Sequence, residues 1–354
     1  MKKILLITLL LPKLLFSQIT LIPDSAFEQK LIHFGYDTII DGQVFTSSIN
    51  SVTSLTLGTP ALTDLTGIED FISLMSLTVS SSSITNIDIS NNQFLTDLMI
   101  MQSQLSSIDL TNNPNLTNVD LRWNNISSID LSNNLNLTQL ELGYNQITNL
   151  DVSNNTYLTE LYCGNNQLTD IDISNNVYLQ YFFCYHNQIT SLDLSNNPLL
   201  CNFGCSDNPI ECLNYQNGNN INICHFTATN TNLTCVQVDD STWSTNVWSL
   251  PPTLNLWIDV DSTVYYSNNC NNGCSFTNID DLTYSEIKIY PNPVHDFINI
   301  ESETPVTITL VDMRGKTIFR KEIENKVQRL NMSHIKNGIY LLNYNNKSYK
   351  LIKQ

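Results

Sequence analysis

The chain has 354 residues, 42% of them hydrophobic, and a formal net charge of −17. The charge is uneven: residues 18–286 hold two basic and 27 acidic side chains, and residues 287–354 hold 11 basic and six acidic ones. So acidic a body repels nucleic-acid phosphates and anionic membrane surfaces, which leaves cations, neutral glycans or basic proteins as fitting partners.

Residues 1–17 join a basic start to the apolar run Ile4 to Leu11, too short to span a bilayer, and end on the small residue Ser17. This reads as a secretory signal peptide, and no later stretch is apolar enough for the mature chain to carry a transmembrane segment. Residues 18–51 are expected to form an amino-terminal cap. Its helix would run from Asp24 to Phe34, with Ser25 and Glu28 as a capping-box pair, Phe27, Leu31 and Phe34 on one face, and Gly35 as its stop.

Residues 52–229 are organised by six copies of a 21-residue unit, which begin at Leu74, Leu95, Leu116, Leu137, Leu158 and Leu179 and read approximately LxxLxLxxNxITxIDLSNNxx. One unit cannot bury its own apolar side, so the units must stack as a solenoid. Alternation places positions 4, 6, 14 and 16 inward and 3, 5 and 7 outward, which makes two strand-like runs per coil. Asn stands at both bends, as in Asn145 and Asn155, where it tolerates left-handed backbone and can bond the neighbouring coil.

These units resemble bacterial leucine-rich repeat proteins of the short type that occurs in internalin-like surface proteins. The resemblance implies a right-handed solenoid of parallel strands in which one sheet lines a ligand-contacting face.

Residues 230–277, with Trp243, Trp248 and Trp257 but no 21-residue period, are expected to be a carboxyl-side cap. Cys163, Cys184 and Cys205 occupy inward position 6, where Cys behaves as a small apolar group, and Cys224 is expected inward too. Cys201, Cys212, Cys235, Cys270 and Cys274 are less constrained, and a Cys235 to Cys270 disulfide is the staple expected of an exported cap.

After a linker at 278–286, residues 287–354 alternate apolar and polar runs between turn residues, as a small antiparallel β-sandwich does. The motifs YPNP at 290–293, DMRGK at 312–316, NGIY at 337–340 and KLIKQ at 350–354 resemble the carboxyl-terminal sorting domain of type IX secretion substrates. That resemblance implies recognition by the type IX machinery and passage through the outer membrane, followed by surface attachment or release. The expected fold class is therefore mainly β: a leucine-rich repeat solenoid with a short cap helix, then a small sandwich.

The outward positions of the first run vary from coil to coil. Met99, Asp120, Glu141, Tyr162 and Phe183 at position 5, and Arg122 and Tyr185 at position 7, combine with Trp123, Tyr144, Tyr181 and His186 in an aromatic and acidic patch. Clustered exposed aromatics suit a protein or glycan ligand. Position 15 is Asp in all six units, from Asp88 to Asp193, and position 17 is always Ser or Thr, whose hydroxyls can answer the like charges without a metal. The five histidines are scattered outside GxSxG or HExxH motifs, so no catalytic, metal or cofactor site is assigned. The expected function is non-catalytic binding of a protein or glycan outside the cell. The alternative is a structural, cation-binding surface or matrix component without a specific partner.

Overall fold

Ten short parallel strands, one per coil, run in a single sheet from Ser54–Gly58 to Trp257–Val260. This computed structural model describes residues 18–248, 256–270, 288–290, 294, 296–302, 306–312, 316–323, 327–336, 338–344 and 347–353. The signal peptide, the linker, Cys274 and parts of the YPNP, DMRGK and NGIY motifs lie outside these residues. The chain divides into two compact units, Met1–Phe276 and Thr277–Gln354.

Within the repeats the register advances by 21 residues per strand, pairing Leu98 with Val119, Val119 with Leu140 and Leu140 with Leu161. Positions 1, 4, 6, 11 and 16 are all buried, so each coil contributes the same apolar side chains to one continuous core. The second run behaves differently from the first. It becomes a strand only from Ser191–Asp193 onward, in a four-stranded parallel sheet with Cys212–Asn214, Cys235–Gln237 and Tyr265–Ser267.

The stretch expected as a carboxyl-side cap supplies further rungs. Phe226 pairs with Ile258 in the large sheet, and Val236 pairs with Tyr266 in the small one. Helix Ser241–Trp248 sits between these rungs in sequence and buries Trp248 against Phe226, 5.5 Å between ring centroids, and Tyr215, 5.9 Å. Phe182, Phe203 and Phe226 stack at 5.7 and 5.6 Å, so the core of the last coils is aromatic where earlier coils use Leu or Val.

At the other end the cap helix is Ser25–His33, and its N-cap is Asp24 rather than Ser25. Asp24 Oδ1 accepts from the amides of Ala26 and Phe27 (2.8 and 2.9 Å), while Oδ2 accepts from the Thr63 amide and hydroxyl (both 2.8 Å) and from Asp64 (3.1 Å). One carboxylate thus both starts the helix and fastens it to the first coil. Glu28 does not form a capping box. It is buried, and its Oε1 takes the backbone amides of Asp41, Gly42 and Gln43 at 2.9, 2.7 and 3.1 Å, three donors against the one a capping box offers. Phe27 and Leu31 are buried as expected, but Phe34 is exposed.

Cys224 is also corrected. It is exposed and bonded to Cys201 of the preceding coil, with Cα atoms 5.1 Å apart, and a second bond joins Cys235 to Cys270. Cys163, Cys184 and Cys205 stay free and buried. In the second unit, the strands Lys288–Tyr290, Phe297–Glu301 and Val327–Asn331 form one antiparallel sheet. Thr317–Ile323, Val306–Asp312, Gly338–Tyr344 and Lys347–Lys353 form another, and Ile298, Ile300, Ile308, Leu310 and Leu342 belong to one shared core. No helix among the described residues is long and apolar enough to cross a membrane.

Candidate functional site

Two asparagine ladders hold the coils in register. At position 9, Asn145 donates to the carbonyls of Leu121 (2.9 Å) and Leu142 (3.0 Å) and accepts from the Ile126 amide (3.0 Å). At position 19, Asn155 donates to Leu131 (3.2 Å) and Asn134 (2.9 Å), while its buried Oδ1 has no partner. The left-handed corner, however, lies at neither Asn. It falls one residue earlier, at position 8, where Ser81, Gln102, Trp123, Tyr144, Asn165, His186, Asp207 and Asn230 all have φ between 50° and 61°.

The outward strand face is built around those corners. Trp123 and Tyr144 stand at left-handed positions in adjacent coils and stack with ring centroids 3.5 Å apart and an 8° interplanar angle, while remaining 49% and 38% exposed. A left-handed backbone costs a side-chain-bearing residue roughly 1–2 kcal/mol, least for Asn and nothing for Gly. Beside this pair Arg122 is held by Asp120, with Nη2 to Oδ2 at 2.8 Å and Nε to Oδ1 at 3.0 Å, and by Glu141 at 2.8 Å. Burial and the charges of Asp120 and Glu160 hold the Glu141 carboxyl above the usual range even though Arg122 pulls it down.

Farther along, Tyr162 and Phe183 stack at 5.3 Å, and burial together with the Glu160 and Glu141 charges pushes the Tyr162 phenol up to about 12. Two glycines make room for these rings. A Cβ on Gly164 would lie 2.7 Å from the Tyr185 ring, and one on Gly204 would lie 2.8 Å from Phe183. Tyr185 packs edge-on to His186, whose Nε2 lies 3.3 Å from Asp207 Oδ2. The expected patch residues thus fall into a Trp123, Tyr144 and Arg122 cluster and a Tyr162, Phe183, Tyr185 and His186 cluster. Met99 and Tyr181 lie on the same face, on the strands Asp97–Met101 and Tyr181–Phe183 of the ten-stranded sheet.

The Asp row closes its own turns. Asp88, Asp109, Asp130, Asp151, Asp172 and Asp193 each accept the backbone amide two residues on, at 2.9–3.0 Å, and Thr111 adds its hydroxyl at 2.6 Å. These bonds, led by the Ser or Thr hydroxyls, hold Asp88, Asp109, Asp130 and Asp151 below the usual carboxylate range. Among the described residues, three potential metal ligands converge only at Glu28, Asp37 and Asp41, where Glu28 is already committed to backbone amides. Burial pushes the Cys163 thiol up to about 12, so the free cysteines are unreactive.

Sequence reasoning passed over positions 2 and 21, beside the strand face, which line a long groove. Its signal was available: position 21 carries Phe94, Tyr157 and Tyr178, large side chains that the core does not claim.

Two families match parts of the chain: the secretion system C-terminal sorting domain over residues 288–354, and leucine-rich repeats, in two copies, over residues 135–176. No curated protein is similar enough to count as a relative. Among solved structures, internalin C2 from Listeria monocytogenes shares 21% identity over 63% of this chain and 98% of its own, with a TM-score of 0.50. The functional domain of InlJ from Listeria monocytogenes, which includes a cysteine ladder, shares 17% identity over 96% of this chain and 99% of its own, at a TM-score of 0.41. The chain is a leucine-rich repeat solenoid followed by a type IX secretion sorting domain, which directs export across the outer membrane to the cell surface or the medium.

Proposed function

We propose that the exported solenoid is a non-catalytic binding protein whose outward strand face grips a protein or glycan ligand. The observation that carries this reading is the Trp123 and Tyr144 pair: two large rings held at left-handed corners, half exposed, where neighbouring coils place Gln102 and Asn165. The ring stack offsets only part of the two left-handed penalties, and strain tolerated on an exposed face supports selection for contact. The mixed setting of rings, Arg122 and Glu141 suits a protein surface in particular, since Trp, Tyr and Arg are the side chains that anchor such interfaces.

Catalysis is a poor fit, because Asp120 and Glu141, the acids best placed as a coupled pair, are both engaged by Arg122. The alternative, a cation-binding structural component, fits less well because each carboxylate of the Asp row is already engaged by its own turn. The test is capture of surface-exposed proteins and arrayed glycans by the secreted chain and by its Tyr162→Ser/Phe183→Ser/Tyr185→Ser variant. Capture lost in the variant supports the strand face. Equal capture by both, or capture that requires only added calcium, favours the structural reading.

A further inference from the structure

Along one side of the strand face runs an open groove of about 940 Å³, which crosses the coils from Thr53 to Gln180. It is made by positions 21 and 2 of successive units, so its contents repeat with the solenoid. Position 21 contributes Phe94, Asn115, Asn136, Tyr157 and Tyr178, and position 2 contributes Met75, the threonines from Thr96 to Thr159, and Gln180. Phe94, Tyr157 and Tyr178 are 62%, 55% and 48% exposed, and the two tyrosine rings lie nearly parallel, 9° apart at 6.3 Å.

Three features select the ligand. No side chain lining the groove is charged, although the surrounding body is strongly acidic, so the groove is matched to a neutral molecule. The threonine backbone of the floor is spent: Thr96, Thr117, Thr138 and Thr159 each give their amide at 2.8 Å and their hydroxyl at 3.0–3.1 Å to the preceding coil, so a peptide strand would find no free amide at these four residues. Rings and amides remain. Asn115 and Asn136 donate to the carbonyls of Gln93 and Pro114 (2.9 and 3.0 Å), which fixes the side chains and leaves each Oδ1 to accept from a hydroxyl.

We propose that this groove binds an unbranched, neutral polysaccharide laid along the solenoid, with Phe94, Tyr157 and Tyr178 as stacking platforms and Asn115, Asn136 and Gln180 as hydrogen-bonding partners. The site is separate from the outward strand face, so each can fail without the other.

The experiment is native affinity electrophoresis of the full secreted chain in gels containing a β-1,4-glucan, a β-1,3-glucan or a β-1,4-mannan. The protein is expected to be retarded by at least one of them. The Tyr157→Ala/Tyr178→Ala variant, whose side chains are exposed and whose thermal unfolding serves as the folding control, should bind at least about tenfold more weakly. The Tyr162→Ser/Phe183→Ser/Tyr185→Ser variant should be retarded like the parent chain. No retardation by any of the three polymers, retardation unaffected by the Tyr157→Ala/Tyr178→Ala change, or groove-dependent capture of peptides alone would overturn the proposal.

Discussion

Asn145 and Asn155 have the same side chain and unequal work. Removing Asn145 breaks two bonds to carbonyls that keep another donor, Asn124 at Leu121 and Asn166 at Leu142, and leaves the Ile126 amide without its acceptor, whereas removing Asn155 breaks two bonds to carbonyls that keep the Asn134 and Leu137 amides. Asn145→Ala should therefore cost about 3 kcal/mol and Asn155→Ala about 2 kcal/mol. Chemical denaturation checks both values, with the exposed Asn154→Ala as the neutral control. Trp123 and Tyr144 reverse that relation between residue and stability. Replacing both by Asn relieves two left-handed penalties of about 1 kcal/mol each and forfeits one ring stack of about 1 kcal/mol, a net change between neutral and about 1 kcal/mol stabilising. Ligand capture should fall in the same variant, and a loss of stability above 1 kcal/mol would remove the strain argument. Alternation made the outward direction of positions 5 and 7 legible in the sequence. The left-handed corner was not, because position 8 holds Ser, Gln, Trp, Tyr, Asn, His and Asp and never the Gly that would announce it.

The cap helix, as an element, depends on one carboxylate. Burial pushes the Asp24 pKa up, but hydrogen bonds from Thr63, Phe27 and Asp64 outweigh it and leave the group below its ordinary value of 3.8. A depressed pKa means that the stabilisation is complete above the unfolded value and is lost as pH falls through the folded one. Acid should thus loosen the cap, with hydrogen exchange at Ala26, Phe27, Thr63 and Asp64 rising as pH falls, and the coil turns closed by Asp88, Asp109, Asp130 and Asp151 should weaken in the same direction. Asp24→Ala should produce the same opening at neutral pH, at a cost of about 1–2 kcal/mol. Glu141 has the opposite sign: its raised pKa is a contribution lost as pH rises through the folded value, so it does not add to acid lability. The helix itself was legible from its apolar spacing. Its true contacts were not, since Asp24 reaches Thr63 and Glu28 reaches Asp41 to Gln43 across distances that local motifs do not encode.

The 21-residue period was the most legible property of the whole molecule because five inward positions recur unchanged in type through six coils. It faded where the spacing between paired strands lengthened to the 23 residues from Phe203 to Phe226 and the 32 from Phe226 to Ile258, so that the strands Cys235–Gln237, Trp257–Val260 and Tyr265–Ser267 stood in a stretch expected as a cap. Since each coil contacts chiefly its neighbours, excision of one full period, residues 137–157, should leave a folded and secreted protein whose melting temperature falls by only a few degrees. Excision of the half period 137–147 should abolish folding, because Leu158 could no longer replace Leu137 in the stack; circular dichroism and secretion distinguish the two. Deletion of residues 288–354 should leave the solenoid folded but retained inside the outer membrane, as fractionation would show.

The covalent bonds from Cys201 to Cys224 and from Cys235 to Cys270 both lie among the final rungs and each ties a coil to the next, whereas the first coils are held by packing and hydrogen bonds alone. A rod riveted at one end cannot fray there. Heat or a mechanical pull should unzip this one from its amino terminus, and a reducing agent would open a second front at the opposite tip.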